Sequence, residues 1–303
     1  MAEKLKLGII GMSQGNGHPY SWSAIFNGYD ETLMNSCPFP VIPEYLGQQE
    51  YPQDYLSERA EVTHIWTQDM EVSTQVSMCS KIPNICISLE QLTLEVDAVL
   101  LARDDAENHV KFALPVLKAG LPIYIDKPFA LSRTEAHLLW DACQYENQIF
   151  TCSALQFAQE FQREKLDFTK IGEPKMILST IPKSWDKYAV HIIEPVLKLF
   201  PNRGSIKHVT RLPSPNDAIS HLVEVYWSSG LVTNFQTCGD VSAPLWIRVL
   251  GSNGYQDLYF KDAFNAFKNA LEQFVDVIEN RSLNVDKEIT LQMVEILEKG
   301  RNA

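Results

Sequence analysis

The first half of the chain alternates short apolar runs, rich in β-branched residues, with longer amphipathic segments. This pattern is typical of a parallel sheet with helices on both faces. The predicted strands are Lys6–Gly11, Val62–Thr67, Asp97–Ala102, Pro122–Asp126 and Gln148–Ser153. The predicted helices are Ser21–Asn27, Met70–Ser80, Ala106–Ala119 and Ser132–Glu146. We therefore expect an α/β domain with a doubly wound parallel sheet over residues 1–152.

The second half has a different rhythm, because its predicted strands follow one another without helices between them. These strands are Lys175–Ile181, Ile206–Leu212, Ile219–Trp227, Leu231–Thr237, Trp246–Gly251 and Gln256–Phe260. Turn sequences at 228–230 and 252–254 favour hairpins. Two amphipathic helices, Asp262–Asn280 and Lys287–Lys299, follow the last strand. We expect residues 153–303 to form an α+β domain with a mostly antiparallel, open sheet.

Composition limits the classes of partner. With 303 residues, of which 45% are hydrophobic, the chain has enough apolar side chains for two cored domains. Its net charge of −12 disfavours binding to nucleic acid or to an anionic membrane surface. We find no apolar run of membrane-spanning length and no signal-peptide core, so we expect a cytoplasmic protein. The six cysteines form no C-x-x-C pair, and no metal site is predicted.

A glycine-rich segment, Gly11 to Gly17, joins the first predicted strand to the first predicted helix. Glycines at this place let backbone amides approach a pyrophosphate, as in Rossmann dinucleotide domains. We expect Gly11, Ser13, Gly15 and Gly17 to contact NAD or NADP. The strict G-x-G-x-x-G pattern is not met, since Ser13 stands at the second glycine position. A strand-to-helix turn without a ligand is the alternative.

An acidic residue after the second strand commonly accepts the ribose hydroxyls of the dinucleotide. Asp69 is the candidate, with Thr67 and Gln68 as alternatives, and it favours NAD because a carboxylate repels a 2′-phosphate. It lies much further from the glycines than the usual spacing of about 20 residues, because a long polar connection, 28–61, intervenes. An aspartate that stabilises a helix N-terminus is the other interpretation of Asp69.

The segment Ile123-Tyr124-Ile125-Asp126-Lys127-Pro128 ends a predicted buried strand with a lysine. The carboxyl ends of such strands line the ligand crevice, so Lys127 is well placed to contact both cofactor and substrate. A proline after it fixes the turn and allows a cis peptide bond. For an isolated tripeptide, a surface lysine in a β-turn is the plainer alternative.

Together with Ala102-Arg103-Asp104-Asp105-Ala106-Glu107-Asn108-His109 and the Ala119-Gly120 pair, this segment resembles the Gfo/Idh/MocA family of glucose-fructose oxidoreductases and inositol dehydrogenases. The family's E-K-P signature is Asp126-Lys127-Pro128 here. The resemblance implies that Lys127 holds the reacting hydroxyl and the nicotinamide ribose. It also implies that Arg103, His109 and Pro128 belong to the cofactor site, with His109 near the nicotinamide.

The family's second signature, D-x-G-x-H-x-x-D, is similar to the segment from Lys187 to Glu194. By this resemblance His191 is the general acid/base, and Trp185, Lys187 and Tyr188 join Lys127 and His191 as substrate contacts. Lys187 replaces the first aspartate, and a lysine one helical turn before a histidine disfavours the protonated imidazole. Asp186 points about 100° around the helix and is a poor substitute. A buried, structural histidine is the alternative for His191.

The resemblance implies an NAD(P)-dependent oxidoreductase that transfers hydride between the nicotinamide and a secondary alcohol or ketone of a sugar, an inositol or a sugar derivative. It also implies a homodimer or homotetramer. Two alternatives remain, and the irregular glycine loop and Lys187 motivate the first of them. One is a dinucleotide-binding or regulatory protein that has lost its chemistry, and the other is an enzyme with a tightly held cofactor and redox-neutral chemistry.

Overall fold

The strands and helices of the first half alternate along the chain, as the sequence pattern predicts. The computed structural model describes residues 4–213 and 220–302. Up to residue 151 its elements are β1 (Leu5–Ile10), α1 (His18–Asn27), α2 (Glu31–Met34), α3 (Val41–Leu46), β2 (Ala60–Trp66), α4 (Met70–Cys79), β3 (Asn84–Ile85), α5 (Leu89–Glu95), β4 (Ala98–Leu101), α6 (His109–Lys118), β5 (Ile123–Ile125), α7 (Arg133–Asp141) and β6 (Ile149–Thr151).

The first sheet has the strand order β3-β2-β1-β4-β5-β6, and every neighbouring pair is parallel. This is the order of dinucleotide-binding sheets, in which the chain reverses its direction of growth between β1 and β4. The carboxyl ends of these two strands therefore flank the crevice where such sheets bind ligands. The predicted fold class of the first half is confirmed.

Several short elements were not predicted from the pattern. Strand β3 and helix α5 lie between β2 and β4, and helices α2 and α3 lie in the 28–61 connection. Helix α1 begins at His18 rather than at the predicted Ser21. Elements of two to seven residues are too short to show a hydrophobic period, which explains why sequence analysis missed them.

The described residues of the second half form one six-stranded sheet and five further helices. Its elements are α8 (Phe168–Ile171), β7 (Pro174–Ile181), α9 (Trp185–Tyr188), α10 (Val190–Leu199), β8 (Ile206–Leu212), β9 (His221–Trp227), β10 (Val232–Thr237), β11 (Trp246–Gly251), β12 (Tyr255–Tyr259), α11 (Ala263–Ile278) and α12 (Lys287–Asn302). The strand predicted from Ile219 begins at His221, and Ile219 itself lies outside the described residues.

The second sheet has the order β12-β11-β7-β10-β9-β8. Only the β7–β10 pair is parallel, so the prediction of a mostly antiparallel sheet is confirmed. Helices α10 and α12 pack against one face of it. The strands alternate buried and partly exposed side chains, which is typical of a sheet with one covered face.

The chain divides into two compact units that are not contiguous in sequence. Unit 1 contains Met1–Asp126, His137–Thr151 and Phe267–Asn284, and unit 2 contains Lys127–Ala136, Cys152–Ala266 and Val285–Ala303. The predicted boundary after residue 152 lies beside the division at 151, but α7 and α11 each run from one unit into the other. The sheet core of unit 1 includes Phe274 from α11, whose ring lies 5.7 Å from that of Tyr124.

Among residues 4–213 and 220–302, none of the helices combines the length and apolarity that a bilayer crossing requires.

Candidate functional site

Three glycines shape the loop between β1 and α1, and each position has a glycine for a different local reason. A Cβ at Gly11 would lie 2.6 Å from Cγ of Pro19, and one at Gly17 would lie 2.5 Å from Cδ1 of Ile42. Both glycines therefore permit close packing within the protein. Gly15 has φ +80° and open space where a Cβ would stand, so it serves an exposed turn that other residues adopt only with strain.

Ser13, at the second glycine position, ties the loop to the chain that follows β4. Its hydroxyl donates to Oδ1 of Asp104 at 2.7 Å and accepts from the Asp104 amide at 3.1 Å. Both residues are buried. A side chain thus takes the place where a regular loop has a glycine, and it fixes the loop by hydrogen bonds.

Arg103 is buried and supports the start of the same loop. Its Nε and Nη2 donate to the Asp105 carboxylate at 2.9 and 2.6 Å, and its Nη1 donates to the Met12 carbonyl and to Oε1 of Gln68. Gln68 in turn accepts from the Met12 amide at 3.2 Å and donates to the Met12 carbonyl at 2.6 Å. The guanidinium also lies over the Phe112 ring, 4.4 Å from its centroid. Arg103 therefore positions the loop, and its predicted contact with the cofactor stays a prediction.

His109 is fully buried in the first turn of α6. Its Nε2 lies 2.7 Å from the carbonyl oxygen of Arg103, which fixes the chain after β4. These surroundings are those of a hydrogen-bonded core histidine. A contact with the nicotinamide stays a prediction for this residue.

A cluster of the buried Asn16 and Asp126 with the half-buried His18 lies where β5 ends and α1 begins. Oδ2 of Asp126 accepts from Nδ2 of Asn16 at 2.9 Å and lies 2.5 Å from Nδ1 of His18. Oδ1 of Asn16 accepts from the His18 amide at 2.7 Å. The His18 ring stacks on Trp22 and meets Phe267 edge-on, with centroid distances of 4.9 and 5.1 Å. Sequence analysis gave none of the three cluster residues a role of its own.

The loop fits a dinucleotide, but its available donors are not the first amides of α1. At the start of α1 the His18 amide bonds to Asn16, Pro19 has no N–H, and the Tyr20 amide donates to the Gly17 carbonyl. Among the described residues, in contrast, the amides of Gln14 and Gly15 donate to no protein acceptor, and both residues are exposed. The donors for a pyrophosphate would therefore come from this turn, while the positive end of the α1 dipole favours the negative charge.

Asp69 lies directly after the chain leaves β2 and is the N-cap of α4. One of its carboxylate oxygens accepts from the Glu71 amide at 2.8 Å, and the residue is exposed. The neighbouring Thr67 is buried and bonds to the Asp69 carbonyl and to Ser73. The capping role of Asp69 is thus observed, and its contact with a ribose stays a prediction.

Unit 2 brings Lys127, Tyr188 and His191 together. Lys127 is 4% exposed, which excludes a surface lysine in a turn, and its peptide bond to Pro128 is cis. The Lys127 ammonium lies 5.3 Å from the centroid of the Tyr188 ring. The rings of Tyr188 and His191 have centroids 5.8 Å apart. Three of the residues predicted to contact substrate are therefore neighbours in the fold.

Ser153 orients His191, which sequence analysis did not foresee. Its hydroxyl lies 2.7 Å from Nδ1 of His191 and also accepts from the Leu155 amide at 3.2 Å. The Ser153 amide donates to Oε2 of Glu194, one helical turn beyond the histidine. Complete burial raises the pKa of Glu194 to about 8. The Ser153 hydroxyl thus orients His191 by a hydrogen bond, in a chain that has Lys187 in place of the first aspartate of the family signature.

The residues before His191 have other partners. Trp185 is buried, its indole N–H donates to the Leu297 carbonyl at 3.1 Å, and its ring stacks on His221. Asp186 accepts from Nε of Arg301 at 2.7 Å, so its carboxylate does not replace the missing aspartate. Lys187 is half-buried in α9. The surroundings of Trp185 are those of a core residue, and its contact with substrate stays a prediction.

Residues 44–153 match a family described as the GFO_IDH_MocA oxidoreductases with an NAD-binding Rossmann fold. The family resemblance is confirmed. With it the oxidoreductase class and the NAD-type cofactor of the Gfo/Idh/MocA family are confirmed for this segment. No curated protein sequence matches the chain.

Solved structures share the fold of both halves. A myo-inositol 2-dehydrogenase from Lactobacillus plantarum is 13% identical, with a TM-score of 0.75 over 99% of this chain and 97% of that one. A UDP-N-acetylglucosamine 3-dehydrogenase from Acidithiobacillus ferrooxidans is 15% identical, with a TM-score of 0.73 over 99% and 98%. A protein of gentamicin A biosynthesis, GenD2, crystallised with NAD, is 15% identical, with a TM-score of 0.74 over 100% and 94%.

The raised pKa of Glu194 predicts a pH-dependent stability. The folded protein holds a proton on Glu194 up to about pH 8, whereas the unfolded chain loses this proton near pH 4.5. The contribution of Glu194 to the free energy of unfolding is therefore fully present below pH 4.5 and is lost as the pH rises towards 8. The slope is at most about 1.4 kcal/mol per pH unit. Glu194→Gln keeps an acceptor for the Ser153 amide and should remove this dependence. Urea unfolding at pH 5, 6.5 and 8 measures it.

Glu61→Gln, which changes an exposed carboxylate in β2, serves as the control and should keep the wild-type pH profile. Equal pH dependence in Glu194→Gln and the wild type would show that Glu194 is ionised in the folded protein.

Proposed function

We propose that the protein is an NAD-dependent dehydrogenase or reductase that acts on a secondary alcohol or ketone of a sugar, an inositol or a sugar derivative. The observation that carries this proposal is the grouping of Lys127, Tyr188 and His191 in unit 2, with His191 oriented by Ser153. Lys127 directly follows Asp126, the residue that fixes the dinucleotide loop of unit 1. The structurally similar proteins include a myo-inositol 2-dehydrogenase and a UDP-N-acetylglucosamine 3-dehydrogenase, which supports this class of substrate.

The side chains of unit 2 are suited to the proton and charge changes of such a reaction. Bound NAD supplies the acceptor for hydride. The Lys127 ammonium stabilises the oxygen of the substrate as negative charge develops there. His191, whose Nδ1 is engaged by Ser153, is the residue that takes the hydroxyl proton. With its raised pKa, Glu194 is mostly neutral at pH 7 and adds little negative charge beside His191.

NAD is the preferred cofactor in this proposal. Asp69 lies three residues after β2 with an exposed carboxylate, and one of its oxygens forms the α4 cap. A carboxylate at this place accepts ribose hydroxyls and repels the 2′-phosphate of NADP. A cytoplasmic location remains our expectation.

A dinucleotide-binding protein without chemistry is the second candidate. The observation in its favour is Lys187, which replaces an aspartate of the family pattern and places a positive charge one helical turn before His191. Titration with NADH and NADPH, followed by a panel of polyols and sugar nucleotides, separates the candidates. Tight NADH binding without oxidation of any panel member favours the second one. Dinucleotide retained through purification favours redox-neutral chemistry.

Lys127→Ala tests the proposed reaction. Loss of the ammonium should lower kcat by about 10²- to 10⁴-fold, because the developing alkoxide loses its stabilising charge. NADH binding should persist, since the loop that holds the dinucleotide is built by other residues. Steady-state kinetics and NADH fluorescence titration measure the two effects.

The matched control is Lys175→Ala, an exposed lysine of unit 2 that pairs with Glu173. It should leave both readouts unchanged. Undiminished turnover by Lys127→Ala would remove the proposed role of this residue.

We further propose that the partly exposed face of the second sheet pairs two copies of the chain. One row of side chains crosses five strands on this face. The row follows the strand register from β9 to β12 and consists of Tyr226, Val232, Met176, Leu250 and Tyr255, each paired with the next on the neighbouring strand. Tyr226 and Tyr255 are 42% and 56% exposed. A contiguous apolar row of this length is typical of an interface between subunits.

Val232→Asp should therefore dissociate the oligomer, because it places a charge in the middle of the row. Light scattering coupled to size exclusion gives the mass of each species. Tyr145→Lys, at an exposed tyrosine of unit 1, is the control and should keep the wild-type mass. A monomeric wild-type chain would contradict the proposed interface.

A further inference from the structure

We infer that the substrate carries an anionic group, a carboxylate or a phosphate, and that Lys183 binds it beside Tyr188. This inference rests on the proposed function, because it names the substrate class of the site formed by Lys127, Tyr188 and His191. Lys183 has no counterpart in the two family signatures found in the sequence.

The backbone of Lys183 is held in a conformation that a lysine rarely adopts. The residue lies after the end of β7 with φ +73°, in the left-handed region that favours glycine. Its amide donates to the Gly239 carbonyl at 2.5 Å, and the Gly239 amide donates back to the Lys183 carbonyl at 3.1 Å. This bridge fixes the position from which the side chain extends. Strained positions of this kind are concentrated at functional sites.

The Lys183 side chain is directed at Tyr188. Its Nζ donates to the Tyr188 hydroxyl at 2.7 Å and lies 4.4 Å from the ring centroid. The ammonium of Lys127 lies 5.3 Å from the same centroid. Two ammonium groups from separate parts of the chain thus neighbour one phenol.

Carboxylates do not balance the charge of Lys183. Within residues 4–213 and 220–302, the Tyr188 hydroxyl is the polar side-chain partner of its ammonium, and no ion pair is formed. Asp186, at the start of α9, pairs with Arg301. Glu194 is buried against the Ser153 amide, and burial favours its neutral form. A local positive charge therefore persists in a chain whose net charge is −12.

The hydrogen-bonding groups point to the chemistry of the ligand. An ammonium has only donors, and the Tyr188 hydroxyl accepts from Lys183, so its own proton remains to be donated. The group that matches several converging donors and a positive charge is one with acceptors only, such as a carboxylate or a phosphate. A neutral polyol hydroxyl both donates and accepts, and it gains little from this arrangement.

The experiment compares matched neutral and anionic sugars. Calorimetric titration of the full chain, loaded with NADH, uses glucose, glucuronate and glucose 1-phosphate as probes. We expect at least one of the anionic sugars to bind more tightly than glucose. The anionic sugar that binds more tightly shows whether the anionic group of the substrate is a carboxylate or a phosphate. Lys183→Gln should weaken anionic-sugar binding by about 10- to 100-fold, the loss expected for a charge-assisted hydrogen bond. It should leave binding of glucose unchanged.

Two further variants separate binding from structure. Lys183→Gly relieves the left-handed strain and should keep the unfolding midpoint, yet it should lose anion binding like Lys183→Gln. Lys175→Gln, at an exposed lysine of the same unit, should keep wild-type affinities. A structural role for Lys183 would lower stability and weaken all three sugars alike.

Equal affinity for glucose and the anionic sugars, or no binding of either anionic sugar at millimolar concentration, would overturn the inference. Anion binding through Lys183 without NADH formation from any substrate would instead overturn the dehydrogenase and leave the inference standing. Efficient oxidation of a neutral polyol, equal in the wild type and Lys183→Gln, would overturn the inference about Lys183 and leave the dehydrogenase standing.

Discussion

The buried carboxylate of Asp126 is the constraint on which the loop between β1 and α1 depends. Asp126 directly follows β5 and bonds to Asn16, which precedes α1, and to His18, the first residue of α1. Since β4 separates β5 from β1 in the sheet, this carboxylate reaches the loop that follows β1 from two strands away. The next residue is Lys127, the ammonium that we assign to substrate. One dipeptide therefore contributes a carboxylate that fixes the loop of unit 1 and the ammonium that we propose as the central charge of the site in unit 2.

Hydrogen-bonded side chains fix the backbone of this loop, whereas a regular Rossmann loop has glycines at the corresponding positions. Ser13 is bonded to Asp104, and Met12 is held by Arg103 and Gln68, so the loop follows a path fixed by hydrogen bonds to neighbouring strand ends. Close packing accounts for Gly17, because a Cβ there would meet the 28–61 connection at Ile42. The connection thus packs on the loop, and the exposed amides of the loop lie in the turn before α1.

Sequence analysis predicted the fold class and singled out Lys127 and His191, which the structure brings near one ring, because long periodic segments and local signatures are visible in one chain. It could not predict that Asp126 meets His18, since residues far apart in sequence carry no local sign of their contact. The contact of Ser153 with His191 was missed for the same reason, and the role that we propose for Lys183 was missed because it depends on a backbone angle. The passage of α7 and α11 between the two units was also hidden, because an amphipathic pattern does not say which core a helix covers.

The affinity of the Asp126→Asn protein for NADH, measured by fluorescence titration, tests the account most directly. The amide keeps the shape of the side chain but loses the charge that holds His18 and Asn16, and the exposed Asp141→Asn provides the control. The account predicts that Asp126→Asn stays folded, by circular dichroism, and binds NADH about 10- to 100-fold more weakly. NADH affinity equal to that of the wild type would contradict it.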